Sequence, residues 1–175
     1  MNKKITLFVT ALTFVCITVS AQTKMKEYKA GHVFNISLPD YMNKTAGINT
    51  SSAIQYKSEV KDVYGFVIFD TKEDLKLVEL NYTSVNDFYE DFMKDFLIDQ
   101  EKRTVSKPVL KKIGEIDFIE SDITYFDKDA NMEIYYLIGI VETKKAFYKV
   151  LSWSSKEDKD KFKADFQKIL YSVKD

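Results

Sequence analysis

The sequence predicts an α+β fold: a mainly antiparallel sheet of about six to seven strands with helices packed on both faces, as an α/β/α sandwich. Three observations support this prediction. The elements run in the order strands, helix, four strands, helix. The last four strands are joined by short connections, which favour antiparallel neighbours. Two of the strands are apolar on both faces, so both faces of the sheet need a cover.

Seven strands are predicted from apolar alternation and from the turn residues between the apolar segments. They cover residues 33–38, 53–57, 63–70, 104–112, 116–126, 132–141 and 146–153. Pro108 lies within the fourth strand, which assigns that strand to an edge or a bulge. In the fifth strand the apolar phase changes between Phe118 and Ile119, so a β-bulge is expected there. The third and sixth strands are apolar on both faces, as inner strands are.

Two helices are predicted from apolar residues at helical spacing. They cover residues 84–98 and about 155–173. Ser84 is the expected N-cap of the first helix, with Asp87 three residues later. Ser154 and Glu157 resemble a capping box at the start of the second helix. Each helix has one apolar face, so each needs a face of the sheet to cover.

Residues 1–21 have the three parts of a secretory signal peptide. Two lysines form the positive region, an apolar run covers residues 5–19, and small residues ending at Ala21 form the cleavage pattern. The run is shorter than the roughly 20 apolar residues that a transmembrane helix needs. We therefore expect cleavage between Ala21 and Gln22, export to the periplasm or the medium, and no membrane span in the mature chain.

A single globular domain over residues 31–175 is expected to follow a polar, loosely held lead over residues 22–30. Cleavage removes Cys16, the only cysteine of the chain, so the domain has no disulfide and must be stabilised by its core. A bacterial lipoprotein would need a small residue just before the modified cysteine. Phe14 and Val15 stand there instead, so lipidation is the disfavoured alternative.

The composition argues against several classes of partner. Without the signal, 24 basic residues stand against 27 acidic ones, a net charge of −3. The mature chain therefore has no basic excess for nucleic acid or anionic lipid. The chain contains 13 Phe and 11 Tyr. These aromatic residues indicate a large core and leave open a pocket for an apolar ligand.

Three packing motifs extend over nearly the whole mature chain, about residues 28–173. The first strand ends in a Phe-x-Ile-x-Leu-Pro motif that finishes at Pro39, and a helix over residues 86–97 follows a hairpin. The last strand runs into Trp153, ahead of a capped helix anchored by residues such as Phe162. This arrangement resembles the PsbP-like family, which includes photosystem accessory proteins and a nuclear factor that acts on the Ran GTPase.

Known members of the PsbP-like family mostly bind and stabilise other proteins. The resemblance therefore implies a non-catalytic protein with another envelope protein as its partner. No cofactor is predicted. The motif residues Phe34, Ile36, Leu38 and Trp153 are expected in the core, so they do not identify a binding site. A photosynthetic role would follow only from fold-level analogy, which does not establish function.

Motifs for several common chemistries are absent from the sequence. It contains neither a phosphate-binding Gly-x-x-x-x-Gly-Lys-Ser/Thr loop nor a Gly-x-Ser-x-Gly elbow. The mature chain has no cysteine for thiol catalysis or metal ligation, and His32 is its only histidine. A catalytic triad needs a nucleophile and an orienting acid around such a base. His32 is interpreted as a surface residue, and no catalytic residue is predicted.

Asp127, Asp129 and Asn131 copy the opening of a calcium-binding loop. The rest of the segment departs from the calcium-loop pattern, because Met132 occupies the position of the required glycine and Ile138 that of the bidentate glutamate. Asp and Asn are common in hairpin turns, so a turn is favoured over a metal site.

Glu120 and Asp122 share one face of the fifth predicted strand. Two carboxylates flanking a cleft are the arrangement used by glycosidases. Thr124 continues that face as polar surface, so a solvated strand face is the favoured interpretation. A hydrolase would need a cleft that gathers these carboxylates or His32.

Three functions follow in order of preference. The first is an exported, non-catalytic protein that binds another envelope protein. The second is a binder of a lipid or another small apolar molecule. The third is a hydrolase that uses carboxylates. The sequence leaves the oligomeric state open.

Overall fold

In the computed structural model, which describes residues 23–31 and 33–175, ten strands and three helices are present. The strands are β1 Met25–Ala30, β2 Phe34–Pro39, β3 Asn43–Thr45, β4 Ile54–Ser58, β5 Val63–Thr71, β6 Glu101–Val105, β7 Val109–Ile113, β8 Ile116–Asp127, β9 Met132–Glu142 and β10 Ala146–Ser155. The helices are α1 Lys72–Leu77, α2 Val85–Asp95 and α3 Lys159–Leu170.

Eight of these strands form one antiparallel sheet in the order β3-β4-β5-β10-β9-β8-β6, with β7 also paired to β8. β1 and β2 form a separate antiparallel hairpin. The predicted α+β class with a mainly antiparallel sheet is confirmed. The sheet has eight strands rather than six or seven. The segment predicted as one strand around Pro108 forms two and the short strand β3 adds an edge, whereas the first predicted strand, β2, leaves the large sheet and pairs with β1.

Both faces of the large sheet are covered, as the two-sided apolar strands predict. On one face, α3 and the β1–β2 hairpin contribute to a core cluster that includes Phe34, Tyr148 and Phe166. On the opposite face, α1 and α2 pack on the sheet, and Phe88 of α2 stacks on Phe147 with ring centroids 4.6 Å apart. Offset stacking of this kind adds to the stabilisation from apolar burial.

The two predicted helices are present with shorter bounds. The Oγ atom of Ser84 accepts a hydrogen bond from the backbone N–H of Asp87 at 3.2 Å, which confirms the predicted N-cap of α2. The capping box predicted at Ser154 and Glu157 is wrong. β10 continues past Ser154, and Asp158 precedes α3 without a side-chain cap.

The bulge predicted between Phe118 and Ile119 is also wrong. β8 keeps one uninterrupted register with β9 from Asp117 to Asp127. Phe118 belongs to the core cluster on the α3 face, whereas Ile119 belongs to the cluster on the α2 face. The change of apolar phase therefore reflects cover on both faces of a regular strand.

The lead predicted to be loosely held contains a strand. Met25–Ala30 pair along their whole length with β2, although Lys26 and Glu27 are exposed. Backbone hydrogen bonds hold this segment, and they do not depend on an apolar pattern of side chains. The strand was missed because its residues are mostly polar.

Several predictions fall outside the described residues. They concern the signal peptide, cleavage between Ala21 and Gln22, lipidation at Cys16 and the environment of His32. The boundary between signal and domain therefore stays a prediction. Within residues 23–31 and 33–175, no helix combines the length and apolar character required to cross a bilayer.

Candidate functional site

Glu120 and Asp122 lie side by side on β8, beneath α3. Glu120 is only 6% exposed, and its Oε1 accepts a hydrogen bond from the Gln167 side-chain amide at 2.7 Å. The Oδ2 atom of Asp122 lies 2.9 Å from the Lys159 ammonium and 2.7 Å from the Lys163 ammonium. The prediction of a solvated strand face is therefore wrong, because α3 lies across it.

The spacing of residues on α3 produces this arrangement. Lys159, Lys163 and Gln167 are four residues apart, so they lie on one side of the helix, above the carboxylates of β8. Tyr135 of the neighbouring strand β9 donates its hydroxyl to Oδ1 of Asp122 at 2.9 Å. The result is a polar cluster within an otherwise apolar interface between α3 and the sheet. Charged groups that are buried in this way need such partners.

One oxygen of this cluster lacks a hydrogen bond. The Oε2 atom of Glu120 is buried and has no partner among the described residues. Burial and the nearby Glu120 carboxyl together raise the pKa of the Tyr171 hydroxyl. The Tyr171 hydroxyl, just after the end of α3, therefore interacts with the Glu120 carboxyl from the helix side.

In the described part of the chain, the two carboxylates are covered by α3. They face the underside of α3, and five open hollows on the described part of the chain are lined by other residues. A hydrolase working through Glu120 and Asp122 would therefore need α3 to move aside.

Asp122 makes the stability of the protein sensitive to acid. Burial opposes ionisation of Asp122, but hydrogen bonds from Lys163, Lys159 and Tyr135 outweigh it and lower the pKa of the carboxyl. A lowered pKa stabilises the fold above the ordinary value of about 4, and that stabilisation is lost as the pH falls through the lowered value. We expect the free energy of unfolding to decrease from about pH 4 downward, and Asp122→Asn to reduce that decrease.

Urea unfolding followed by circular dichroism at a series of pH values measures this dependence. Asp99→Asn, which changes an exposed carboxylate in a loop, is the matched control and is expected to leave the acid profile unchanged. An acid profile of Asp122→Asn that matches the unmodified protein would contradict the assignment.

Residues 127–131 form the β8–β9 turn, as predicted. The Oδ1 atom of Asp127 accepts hydrogen bonds from the backbone N–H groups of Asp129 and Ala130, both at 2.9 Å. Asn131 has a φ of 51°, in the left-handed region that Asn tolerates. The carboxylate oxygen that would be the first calcium ligand therefore accepts the hydrogen bonds of the turn instead. In the described ranges, no three His, Cys, Asp or Glu side chains are grouped as a metal site requires.

Many aromatic side chains of the described residues fill the core. Tyr56 and Tyr148 are fully buried, and both belong to the cluster beneath α3. A hollow of about 560 Å³ lies beside the β8–β9 turn, but it is open to solvent. Five of its seven lining residues are polar or charged, and Glu133 and Lys156 among them form an ion pair at 2.8 Å. An apolar ligand is better matched by an enclosed apolar pocket.

The two edges of the large sheet differ in character. At one edge, β3 has three polar residues. At the other edge, β6 and β7 both pair with β8, and no described strand pairs with their outer sides. All five residues of β7 are exposed, including Val109 at 54%, Leu110 at 62% and Ile113 at 43%. We term residues 109–113 the β7 edge.

An exposed apolar edge strand is a template for pairing with another chain. Short length and polar side chains limit such pairing at β3, whereas the β7 edge has three exposed apolar side chains. Pro108 precedes this strand and agrees with its predicted edge position. The β7 edge is the best candidate for a functional surface on the described part of the chain.

No family model matches the sequence, and no curated protein does. Among solved structures, cyanobacterial PsbP (CyanoP) from Synechocystis sp. PCC 6803 matches with a TM-score of 0.61 at 14% identity, covering 91% of this chain and 96% of that chain. LpqN, described as involved in cell envelope biogenesis of Mycobacterium tuberculosis, matches with a TM-score of 0.55 at 7% identity, covering 87% and 90%. At these identities the likeness concerns the fold. The chain has the PsbP-like fold that its sequence motifs predict.

Proposed function

We propose that this protein is exported and acts as a non-catalytic accessory protein, binding another protein of the cell envelope and supporting its assembly or stability. The observation that carries the proposal is the β7 edge, whose outer side pairs with no strand of the described residues and whose apolar side chains are exposed. A sheet edge of this kind recruits a partner through main-chain hydrogen bonds and side-chain contacts.

Two further observations support the proposal. The pattern of residues 1–21 is that of an export signal. The structural neighbour LpqN is described as involved in cell envelope biogenesis. The position of Glu120 and Asp122 beneath α3, where both carboxylates contact side chains of the helix, gives no comparable support to a hydrolase.

The location is tested by mass spectrometry of the protein from fractionated native cells. We expect the protein in the envelope or the medium, with Gln22 as its first residue. An intact N-terminus on a cytoplasmic protein would overturn the proposed export, and a lipid on Cys16 would overturn signal cleavage after Ala21.

The binding function is tested by chemical crosslinking in native cells, followed by capture of the protein with an affinity tag at the C-terminus. We expect one envelope protein to be enriched reproducibly, and the reciprocal capture to recover this chain. Deleting the gene should lower the amount of that partner. The absence of any partner that survives reciprocal capture would overturn the proposal.

A further inference from the structure

The β7 edge lies in an unusually basic segment of an acidic protein. From Lys102 to Gly114 the chain contains five Lys or Arg residues and no Asp or Glu, whereas the whole chain has a net charge of −1. Lys112 forms an ion pair with Asp117 at 2.8 Å. In the part of the chain that the structure describes, Lys107 and Lys111 have no carboxylate within ion-pair distance. The unpaired edge therefore has an excess of positive charge.

The register places these side chains on known faces. Val109, Lys111 and Ile113 are paired with Glu120, Phe118 and Ile116 of β8, and so lie on the α3 face of the sheet. Leu110 and Lys112 lie on the opposite face, because successive side chains alternate. The Lys111 ammonium lies 3.9 Å from the centre of the Tyr171 ring. The α3 face of the β7 edge thus combines two apolar side chains with a lysine, and the opposite face combines one apolar side chain with a lysine.

From this arrangement we propose that the β7 edge binds an extended acidic segment of the partner protein, which adds as a strand next to β7. The inference rests on the proposed protein-binding function and names the surface and the chemistry of the partner. In the antiparallel register, the partner presents in chain order one apolar residue opposite Ile113, two acidic residues opposite Lys112 and Lys111, and two apolar residues opposite Leu110 and Val109.

A second copy of this chain fits the edge less well. In the symmetric antiparallel pairing that overlaps all five residues of β7, Lys111 faces the same lysine of the second copy. Leu110 then faces Lys112 of the second copy. Like charges directly opposite each other on paired strands are destabilising. Charge complementarity therefore favours a different, acidic chain.

The test uses the protein as processed and purified from an expressing bacterium, with a fluorescein-labelled peptide of sequence Ser-Val-Glu-Glu-Val-Val-Ser as the probe. Fluorescence anisotropy measures its affinity. We expect this peptide to bind at least tenfold more tightly than the same peptide with lysine at both glutamate positions. Raising the salt concentration should reduce that difference, because salt screens exposed charges.

Two variants locate the binding site. Lys111→Glu should weaken binding of the acidic peptide at least tenfold and strengthen binding of the lysine peptide. Lys44→Glu is the matched control, because Lys44 also lies on an edge strand with its ammonium near a tyrosine, 5.6 Å from the centre of the Tyr28 ring. Lys44→Glu should change the affinity for the acidic peptide and for the lysine peptide by no more than twofold. Circular dichroism confirms that both variants are folded.

A third peptide tests whether the partner adds as a strand. Methylation of the two glutamate amide nitrogens keeps the side chains but removes backbone donors, so we expect it to abolish binding. Binding of the unmethylated peptide should also slow hydrogen exchange in residues 109–113. Equal affinity for acidic and basic peptides, or undiminished binding of the methylated peptide, would overturn the inference.

Other occupants of the edge would give different results. A dimer detected by sedimentation and dispersed by Leu110→Asp would assign the edge to a second copy and overturn the inference. If the protein binds phosphatidylglycerol vesicles and Lys111→Glu abolishes that binding, the β7 edge binds a lipid surface and the inference is overturned. If the envelope partner is captured equally by the unmodified protein and by Lys111→Glu, the protein-binding function stands and this inference fails.

Discussion

Replacing Phe166 with alanine is expected to lower the free energy of unfolding by about 3–5 kcal/mol. Phe166 is fully buried at the centre of α3, with its ring centroid 6.2 Å from those of Tyr135 and Phe162. Its removal leaves a cavity between α3 and the sheet that the surrounding rings cannot fill without moving. Urea unfolding monitored by circular dichroism measures the loss.

The control for this prediction is Leu77→Ala, because Leu77 is 78% exposed at the end of α1. Exposed substitutions usually change stability by no more than about 0.5 kcal/mol. A loss below about 1 kcal/mol for Phe166→Ala would show that α3 is not seated on the sheet through this residue. It would also remove the reason to regard Glu120 and Asp122 as covered.

The main elements of the fold are predictable from the sequence because the patterns are strong. α2 and α3 carry apolar residues at helical spacing, and the strands from β8 to β10 are long, apolar and joined by short turns. The elements that were missed have no such pattern. β1 is polar and depends on backbone pairing with β2, while α1 and β3 have only six and three residues.

The strand pattern alone does not predict that α3 lies across Glu120 and Asp122. Alternation places both residues on one face, but it does not say whether a distant helix lies across that face. One signal was present in the sequence. Phe118 shares the face with Glu120, and Lys159 and Lys163 are spaced to meet a carboxylate from one side of α3. Together, the apolar residue beside Glu120 and the spacing of the two lysines indicate that α3 contacts the carboxylates of β8.

The sequence contains two signals for the β7 edge, a proline and a run of basic residues without acidic ones. Pro108 predicts an edge strand or a bulge, and the strand that follows it lies at an edge of the sheet. The sequence does not show that the apolar residues after Pro108 are exposed, because exposure depends on which elements cover the edge. The absence of acidic residues between Lys102 and Gly114 is visible in the sequence alone. This basic segment indicates a binding surface only because, among the described residues, no strand pairs with the outer side of β7.

A double-mutant cycle between Gly139 and Leu170 is expected to show strong coupling between β9 and α3. A Cβ atom at Gly139 would overlap the Leu170 side chain, lying 2.6 Å from its Cδ2 and 2.9 Å from its Cγ. Leu170 is 1% exposed, so it has little room to move away. Gly139→Ala should therefore cost about 1–3 kcal/mol, and Leu170→Ala alone should cost about 2–5 kcal/mol.

In the double variant, the added methyl group occupies space that the shortened Leu170 side chain has vacated. Its loss of stability should therefore be smaller than the sum of the two single losses by about 0.5–3 kcal/mol. Gly139→Ala combined with Leu75→Ala is the control, because Leu75 packs on the opposite face of the sheet and should give additive losses. Additive losses for Gly139 and Leu170 as well would mean that α3 does not rest on β9 at this point. The helix that covers Glu120 and Asp122 would then have to be placed differently.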